Sequence, residues 1–400
     1  MKIAKVEIRK AYPDYSLAAN ANMRKFTGGY SPIFVRIYAD DGTYGDGESG
    51  LGFGSWQSVE IAYLQQTARL IIGQDPLDVV AIWNKIFRLA SFRDWLSMTM
   101  QSAIDIALWD LKGKLLGVPV YKLLGGAVRK KVRAYASQLQ FGWKDWDHMA
   151  VSVDDYANAS KEAVKAGFDA VKIDFWAYND KDGAPLTHED RKGMITPKNM
   201  RMIEDRVAAV REAIGPDNDI LLEGHGFLDV TSAQRIAQRL EKYDIAFFEE
   251  PCQVDAESYR RVKEKTSIPI AGGERFATRW DFAPYFQRFA LDIAQPDVSN
   301  CGGITEMMRI GSMAEVYEVD VQGHHAGSHI SLAATLHVEA ALPNFAIHEF
   351  HMENYQKYIT DLCTEAFIPE NGYITVPEAP GLGTELSEYT LKHSDLITVE

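Results

Sequence analysis

The sequence has few cysteines and no long apolar run. Its three cysteines, Cys252, Cys301 and Cys363, are scattered and odd in number. They favour neither a disulfide framework nor a thiolate metal site, and a reducing cytoplasm is the simplest location. No apolar run approaches the roughly 18 residues of a membrane span, and MKIAKVEIRK at the N-terminus lacks a signal-peptide core. We therefore predict a cytoplasmic protein with no membrane partner.

Positive charge is also scarce, and the net charge is −14. This balance argues against nucleic acid and anionic membranes as partners, and it means that an anionic substrate would need a local cation. No Gly-x-Gly-x-x-Gly follows an early strand, which argues against a dinucleotide-binding fold. With 46% apolar residues and 15 prolines, the chain can bury a core for one large or two ordinary domains.

The first part of the chain, residues 1–126, is predicted to be an α+β capping domain. Alternating apolar residues up to about residue 48 indicate strands, with a hairpin turn at Asp41 and Gly42. From 56 to 115 the apolar spacing becomes helical, and this helical pattern stops at Gly117 before Pro119.

Residues 127–365 are predicted to form a (β/α)8 barrel. Eight short apolar runs alternate with amphipathic stretches such as 199–214, 231–242, 303–317 and 330–341. The runs are VRAYASQL, FDAVKIDF, DILLEGH, IAFFEEP, IPIAGGE, LDIAQPD, VDVQGHH and FAIHEF. The turn-rich segment 366–400 is expected to pack back on the capping domain.

Six of these runs end in an acid or a histidine, at intervals of about 25 residues, which is one strand plus one helix. The six are Glu223, Glu249, Glu274, Asp297, His324 and Glu349. They should share the C-terminal rim of the barrel, where barrel enzymes carry out their chemistry. One acid at a strand end is usually a helix cap or an ion-pair partner. That explanation is much weaker for three acids in register, each preceded by an apolar run.

Glu223, Glu249 and Glu274 would repel one another strongly at one site unless a cation neutralised them. Their ligand atoms are all oxygens, which favours Mg²⁺ over Zn²⁺. The cation would also attract an anionic substrate. His225 follows Glu223 by two residues, and its flanking glycines suggest a close backbone approach to a ligand.

The remaining histidines have less specific settings. His324 and His325 are adjacent, and either is a candidate base. His337 and His348 are expected in the core or behind the site. Four lie in polar surroundings and are expected at the surface: His148, His188, His351 and His393.

Several segments resemble the enolase superfamily, in its mandelate racemase-like branch. These include SAIDIALWDLKGKLLGVPVYKLLGG, AVKID, FFEEP and QPDVSNCGGITE. LEGHG, IPIAGGERFATRWDF, LPNFAIHEF and PEAPGLGTE are most similar to acid-sugar dehydratases of the D-galactonate type. The resemblance spans nearly the whole chain and implies a modified TIM barrel with a capping domain.

The resemblance implies a role for each rim residue. Glu223, Glu249 and Glu274 match the Mg²⁺ ligands, and His225 matches an acid catalyst. His324 matches the base, Asp297 matches the carboxylate that is paired with it, and Glu349 matches a group that contacts the substrate carboxylate. The chain departs from the pattern twice, because Glu223 replaces the usual Asp and Asp174 stands where racemases carry a lysine base.

This set of groups suits the dehydration of a sugar acid. Removing the proton next to a carboxylate gives an enediolate, which needs a cation and an acidic donor such as a protonated Glu349. A histidine tuned by a carboxylate can be the base, and His225 can protonate the departing β-hydroxyl. The product would be a 2-keto-3-deoxy acid.

Three alternatives remain open. A racemase, epimerase or cycloisomerase on the same fold would use Lys172 or another second base. A zinc hydrolase would need His-x-His on the first strand, which VRAYASQL lacks. A non-catalytic barrel that binds metal or sugar would be expected to have lost a rim group.

Substrate selection is assigned to residues near the rim. Lys172 and Asp174 on the second strand are predicted to contact the substrate. Capping-domain candidates are Asn20, Asn22, Arg24, Lys25 and Trp56. The insertion WAYNDKDGAPLTHEDRKGMITP could reach the site or form an oligomer contact, and a homo-oligomer from dimer to octamer is expected.

Overall fold

The computed structural model describes residues 1–17, 30–50, 57–89, 95–144, 148–192 and 195–400. An antiparallel sheet is built from both ends of the chain. It contains β1 (Ile3–Ala11), β2 (Ile33–Ala39), β3 (Tyr44–Glu48) and β13 (Ser394–Val399), in the order β13-β1-β2-β3. Strands β2 and β3 form the predicted hairpin around Asp41 and Gly42.

Four helices follow this sheet: α1 (Gln57–Ile71), α2 (Val79–Leu89), α3 (Trp95–Leu116) and α4 (Val120–Leu123). Helix α3 ends one residue before Gly117, as predicted. It is buried along most of its length because one face packs on β3. That contact requires glycine at residue 47, because a Cβ there would overlap the carbonyl oxygen of Ala103.

The opposite face of α3 is held to the second domain by hydrogen bonds. Asp105 accepts from the backbone nitrogen of Thr305 at 2.9 Å and from its hydroxyl at 2.6 Å. The indole nitrogen of Trp109 donates to the same hydroxyl at 2.8 Å. The capping layer is therefore fixed to the helix that follows the sixth barrel strand.

The larger sheet contains eight parallel strands in the described residues, which confirms the predicted barrel. They are β4 (Lys131–Ser137), β5 (Ala170–Ile173), β6 (Asp219–Glu223), β7 (Ile245–Glu249), β8 (Ile270–Gly272), β9 (Ile293–Ala294), β10 (Asp320–Val321) and β11 (His348–His351). Neighbours pair in sequence order, and β11 pairs with β4. The gap between β10 and β11 is bridged where the backbone nitrogen of Ala346 donates to the carbonyl of Val321 at 2.8 Å.

Helices alternate with these strands, and short ones follow near the C-terminus. They are α5 (Val153–Lys165), α6 (His188–Arg191), α7 (Pro197–Ile214), α8 (Val230–Leu240), α9 (Ala256–Lys263), α10 (Arg279–Gln287), α11 (Gly303–Val316), α12 (His329–Ala341), α13 (Lys357–Thr360) and α14 (Glu388–Lys392). Side chains that accept from backbone nitrogens set several of the starts, as Asp229 does for α8 and Ser328 for α12. In the described part of the chain, no helix combines the length and apolar character that crossing a membrane requires.

The C-terminal segment makes two sheet contacts. Strand β12 (Tyr373–Thr375) pairs with the first three residues of β4. Strand β13 pairs with β1 over six residue pairs. Residues from both ends of the chain therefore share one sheet, although the exact domain boundaries at 126 and 365 stay predictions.

Candidate active site

The strand period of two explains how polar groups reach the inside of the barrel. One buried layer inside it is apolar and contains Tyr135, Ala170, Leu221, Phe247, Ala271 and Ile347. Side chains two residues apart on a strand share a face. The positions two residues after five of these are therefore directed to the same interior, and they are Ser137, Lys172, Glu223, Glu249 and Glu349. The barrel floor is apolar, and the layer above it is polar.

Lys172 is the centre of this polar layer. Its ammonium nitrogen lies 2.9 Å from a carboxylate oxygen of Glu223 and 2.7 Å from one of Glu249 and one of Glu349. All four side chains are at most 1% exposed. One buried cation thus balances part of the charge of three buried acids.

The surplus of acids perturbs the carboxyl pKa values in opposite directions. Burial, together with Glu223, raises the pKa of Glu249 to about 8. Burial would also raise the pKa of Glu223, but His225 and Lys172 outweigh it and lower that pKa to about 2. In the same way Lys172 and His351 hold the pKa of Glu349 well below its usual value. This environment favours the ionised form of Glu349, and its role as a proton donor stays a prediction.

His324 forms the first histidine–carboxylate pair of the site. Its Nδ1 lies 2.7 Å from Oδ2 of Asp297, whose other oxygen accepts from the backbone nitrogen of Ser299. Its Nε2 lies 3.2 Å from Glu274. Burial would lower the pKa of His324, but Glu274 and Asp297 raise it well above its usual value. The neighbouring His325 is buried against Ser328 and Ser331, so only His324 of the two adjacent histidines meets the open space of the site.

His225 forms the second pair, with Asp174 at 3.1 Å from its Nδ1. Burial would lower the pKa of His225, but Glu223 and Asp174 raise it to about 10. At the neighbouring Gly224 the backbone closely approaches the adjoining strand end, since a Cβ there would overlap the carbonyl oxygen of Glu250. A close approach to a ligand stays a prediction.

A cavity of about 430 Å³ opens above the polar layer. Four of the predicted residues line it: His225, Glu274, Asp297 and His324. Glu223, Glu249 and Glu349 are not among its lining residues and lie around Lys172. Asp174 is 2% exposed and is bonded to His225 and to the backbone nitrogen of Trp176. Direct substrate contact by Lys172 and Asp174 therefore stays a prediction. The remaining candidates, Arg24 and Trp56 together with Asn20, Asn22 and Lys25, lie outside the described residues.

The cavity wall also contains residues that the sequence analysis did not select. They are Gly50, Trp95, Ser137, Gln138, Phe141, Arg275, Asn300, Ala326, His351, Met352 and Glu353. The expectation that His351 is a surface residue is wrong, because its side chain is 12% exposed and its Nε2 lies 3.3 Å from Glu349. Gln138, Asn300 and Glu353 each follow a barrel strand by a few residues. Inspection of every strand end, and not only those with an acid or a histidine, would have found them.

The acidic groups suit a hard cation in their chemistry but do not form a ready-made cage. Glu223, Glu249 and Glu274 offer only oxygen atoms, and Oε1 of Glu249 is buried without a hydrogen-bond partner among the described residues. No three acidic, imidazole or thiol groups in the described ranges converge closely enough to enclose a metal ion. Lys172 instead holds Glu223 and Glu249, whereas Glu274 is directed to His324 and Arg275.

A capped (β/α)8 barrel with carboxylates and histidines at its strand ends is an enzyme-like architecture, and family comparison agrees with it. Residues 155–390 match the model described as enolase C-terminal domain-like. Residues 23–125 match the mandelate racemase/muconate lactonizing enzyme N-terminal domain. The chain belongs to the enolase superfamily, in the mandelate racemase/muconate lactonizing enzyme branch, which confirms the resemblance.

Individual relatives are similar over most of the chain. D-gluconate dehydratase of Thermoproteus tenax is 34% identical over 90% of this chain and 69% of its own length. D-galactonate dehydratase of Ralstonia pickettii is 35% identical over 89% of both chains. Among solved structures, a member of the enolase superfamily from Salmonella Typhimurium is 40% identical over 100% of both chains, with a TM-score of 0.93. The 3,6-anhydro-D-galactonate cycloisomerase from Zobellia galactanivorans is 28% identical, covers 99% of this chain and 100% of its own, and has a TM-score of 0.80.

Proposed function

We propose that the protein is a Mg²⁺-dependent hydro-lyase that dehydrates a sugar acid to a 2-keto-3-deoxy acid. The observation that carries the proposal is a pair of histidines, each tied to its own carboxylate, on the wall of one cavity. His324 is paired with Asp297 and His225 with Asp174. Elimination of water needs a base for the α-proton and an acid for the leaving hydroxyl, and two such pairs supply both. The dehydratase names of the curated relatives support the same reaction class.

The proposed reaction assigns one proton transfer to each histidine. In its neutral form, with Glu274 no longer paired to it, His324 takes the proton from C2 at Nε2, and the C2–H electrons move into the carboxylate to give the enediolate. These electrons then return to form the C2–C3 double bond as the C3–O bond breaks. His225 gives a proton to the departing oxygen, which leaves as water. The resulting enol then loses the proton of its C2 hydroxyl, takes up a proton at C3 and becomes the 2-keto acid. Asp297 and Asp174 hold the two rings in orientation through their Nδ1 atoms.

Glu223, Glu249 and Glu274 would hold the Mg²⁺. When bound, the ion supplies positive charge to the substrate carboxylate and to the enediolate formed from it. It would also balance the acids that Lys172 alone leaves in excess.

The racemase alternative loses its nearest candidate for a second base. Lys172 is 1% exposed and is bonded to three carboxylates, so its ammonium is held protonated and away from the cavity. Burial would lower the pKa of Lys172, but Glu223 and the other acids raise it well above its usual value. We therefore favour dehydration over epimerisation at C2.

A stereochemically complete panel of C4–C6 sugar acids tests the proposal, with Mg²⁺ present and 2-keto-3-deoxy product detected. Chelation should abolish turnover, and Mg²⁺ should restore it. In deuterated buffer, His324→Asn should lose exchange of the C2 proton. His225→Asn should lose dehydration and keep exchange. Each loss should be at least about 10²-fold.

Two outcomes would contradict the proposal. One is accumulation of the C2 epimer with no keto product from any member of the panel. The other is full activity in a sample shown to be free of metal.

A further inference from the structure

Glu353 lies where the cavity continues toward the capping domain. It belongs to the 3-10 turn Met352–Tyr355, directly after β11. It lines the main cavity and also a small adjoining one, to which Tyr30 from the capping domain contributes. Ala326 and His351 line both cavities as well. Glu353 therefore stands at the junction of the two spaces.

The Glu353 carboxylate is poorly compensated. No described residue donates a hydrogen bond to it or forms an ion pair with it, and the side chain is half-buried. Its imidazole neighbour, His351, lies 3.3 Å from Glu349, and its attraction only partly offsets burial, which raises the pKa of Glu353. A carboxylate with little access to water is costly unless donors surround it. An occupant of the cavity that offers hydroxyl groups would provide such donors.

The polar layer, in contrast to Glu353, favours a negatively charged group of the substrate. Lys172, His225 and His324 gather positive charge near the acids there, and a cation-bound carboxylate of the substrate belongs at that end. A substrate with a carboxylate at one end and hydroxyls at the other matches both ends of the cavity. A substrate with carboxylates at both ends would bring its second charge to Glu353.

On this basis, and resting on the proposed function, we propose that Glu353 is a specificity-determining residue. It accepts hydrogen bonds from the hydroxyls at the far end of an aldonate, and it rejects aldarates by repulsion between like charges. The protein thereby selects monocarboxylate sugar acids. Arg275 is the one arginine or lysine among the described residues that line the cavity, and it does not offset this repulsion because it is paired with Glu250 and Glu274.

The test compares an aldonate with the aldarate of the same configuration, using the Mg²⁺-supplemented full-length enzyme. Both kcat/KM and the dissociation constant are measured for the wild type, Glu353→Gln and Glu365→Gln. Glu365 is an exposed glutamate a short distance along the chain, so its variant has the same change in net charge as a control. Unfolding midpoints establish that each variant is folded.

The wild type should prefer the aldonate by at least about 10²-fold in both measurements. Glu353→Gln should narrow that preference by at least about tenfold, which corresponds to about 1.4 kcal/mol, mainly through tighter binding of the aldarate. Glu365→Gln should keep the wild-type preference.

The outcomes separate this inference from the proposed function. If the binding preference narrows in Glu353→Gln but no acid is dehydrated, the inference stands and the proposed reaction fails. If turnover occurs and Glu353→Gln prefers the aldonate over the aldarate as strongly as Glu365→Gln does, the inference is overturned and the reaction stands. Binding of neither acid, or equal use of both by the wild type, also overturns it.

Discussion

Replacement of Lys172 by methionine should destabilise the protein strongly. The substitution roughly keeps the length of the side chain and removes the ammonium that, among the described residues, contacts all three of Glu223, Glu249 and Glu349. Removing one partner of a buried ion pair typically costs about 3–5 kcal/mol, because the other charge is left uncompensated. Three acids share this one ammonium, so the losses overlap and do not simply add.

A second route gives a similar magnitude. A variant without the ammonium can relieve the repulsion by protonating one of the acids. Glu249 already has a pKa of about 8, so the acid to be neutralised is Glu223 or Glu349. Taking a carboxyl with an ordinary pKa of 4.5 to its neutral form at pH 8 costs about 5 kcal/mol, at about 1.4 kcal/mol per pH unit. We therefore expect Lys172→Met to lower the free energy of unfolding by about 3–5 kcal/mol at pH 8.

Urea unfolding followed by circular dichroism measures the effect, with EDTA present so that no divalent cation takes the place of the lysine. Lys165→Met is the matched control. Lys165 ends helix α5, its side chain is 70% exposed, and it pairs only with the nearby Glu162 at 3.3 Å. Its replacement should change the stability by less than about 0.5 kcal/mol. A Lys172→Met variant as stable as the Lys165→Met control would refute the view that this ammonium holds the acids together.

Two further predictions concern the contacts between the domains. Burial raises the pKa of Asp105 to about 7, against 3.8 for an ordinary aspartate, so its contribution to stability is fully present below about pH 4 and is lost as the pH rises through about 7. Between about pH 4 and pH 7, the free energy of unfolding of the wild type should therefore fall relative to that of Asp105→Asn, by roughly 4 kcal/mol in total. Curves of stability against pH that run parallel for the two proteins would contradict the raised pKa of Asp105. Glu48 accepts hydrogen bonds from the hydroxyl of Tyr30 and from the backbone nitrogen and hydroxyl of Ser328, which lies four residues after His324. Glu48→Gln should therefore lower the free energy of unfolding by about 1–3 kcal/mol, and it should also lower kcat. An unchanged kcat in a measurably destabilised variant would separate Glu48 from the positioning of His324.

The barrel was predictable because its strands leave a local signal. Each of the eight apolar runs ends in a turn and is followed by an amphipathic segment, and the structure has a strand at each of them. The rim position of Glu274, Asp297 and His324 follows from the same repeat, since parallel strands carry their carboxyl ends to one edge.

The contacts of the second strand were not predictable in this way. A lysine in AVKIDF looks like a group that reaches the substrate, and only the arrangement of three distant strands shows that it neutralises buried acids. Asp174 is similar, because its partner His225 lies 51 residues further along the chain. His351 and Glu353 follow the last strand in a segment rich in polar residues. Their contact with the cavity depends on how the chain turns after β11.

The pairing of β13 with β1 also bears on how the protein is made. Six residue pairs join the first regular strand to the last one, so residues 394–399 complete a sheet that begins at residue 3. During synthesis β1 emerges from the ribosome long before its partner exists, and its outer edge lacks this partner until residues 394–399 have been made. An unpaired strand edge is a template for association with other chains. During synthesis β1 is thus open to misassociation, and its pairing with residues 394–399 removes that hazard.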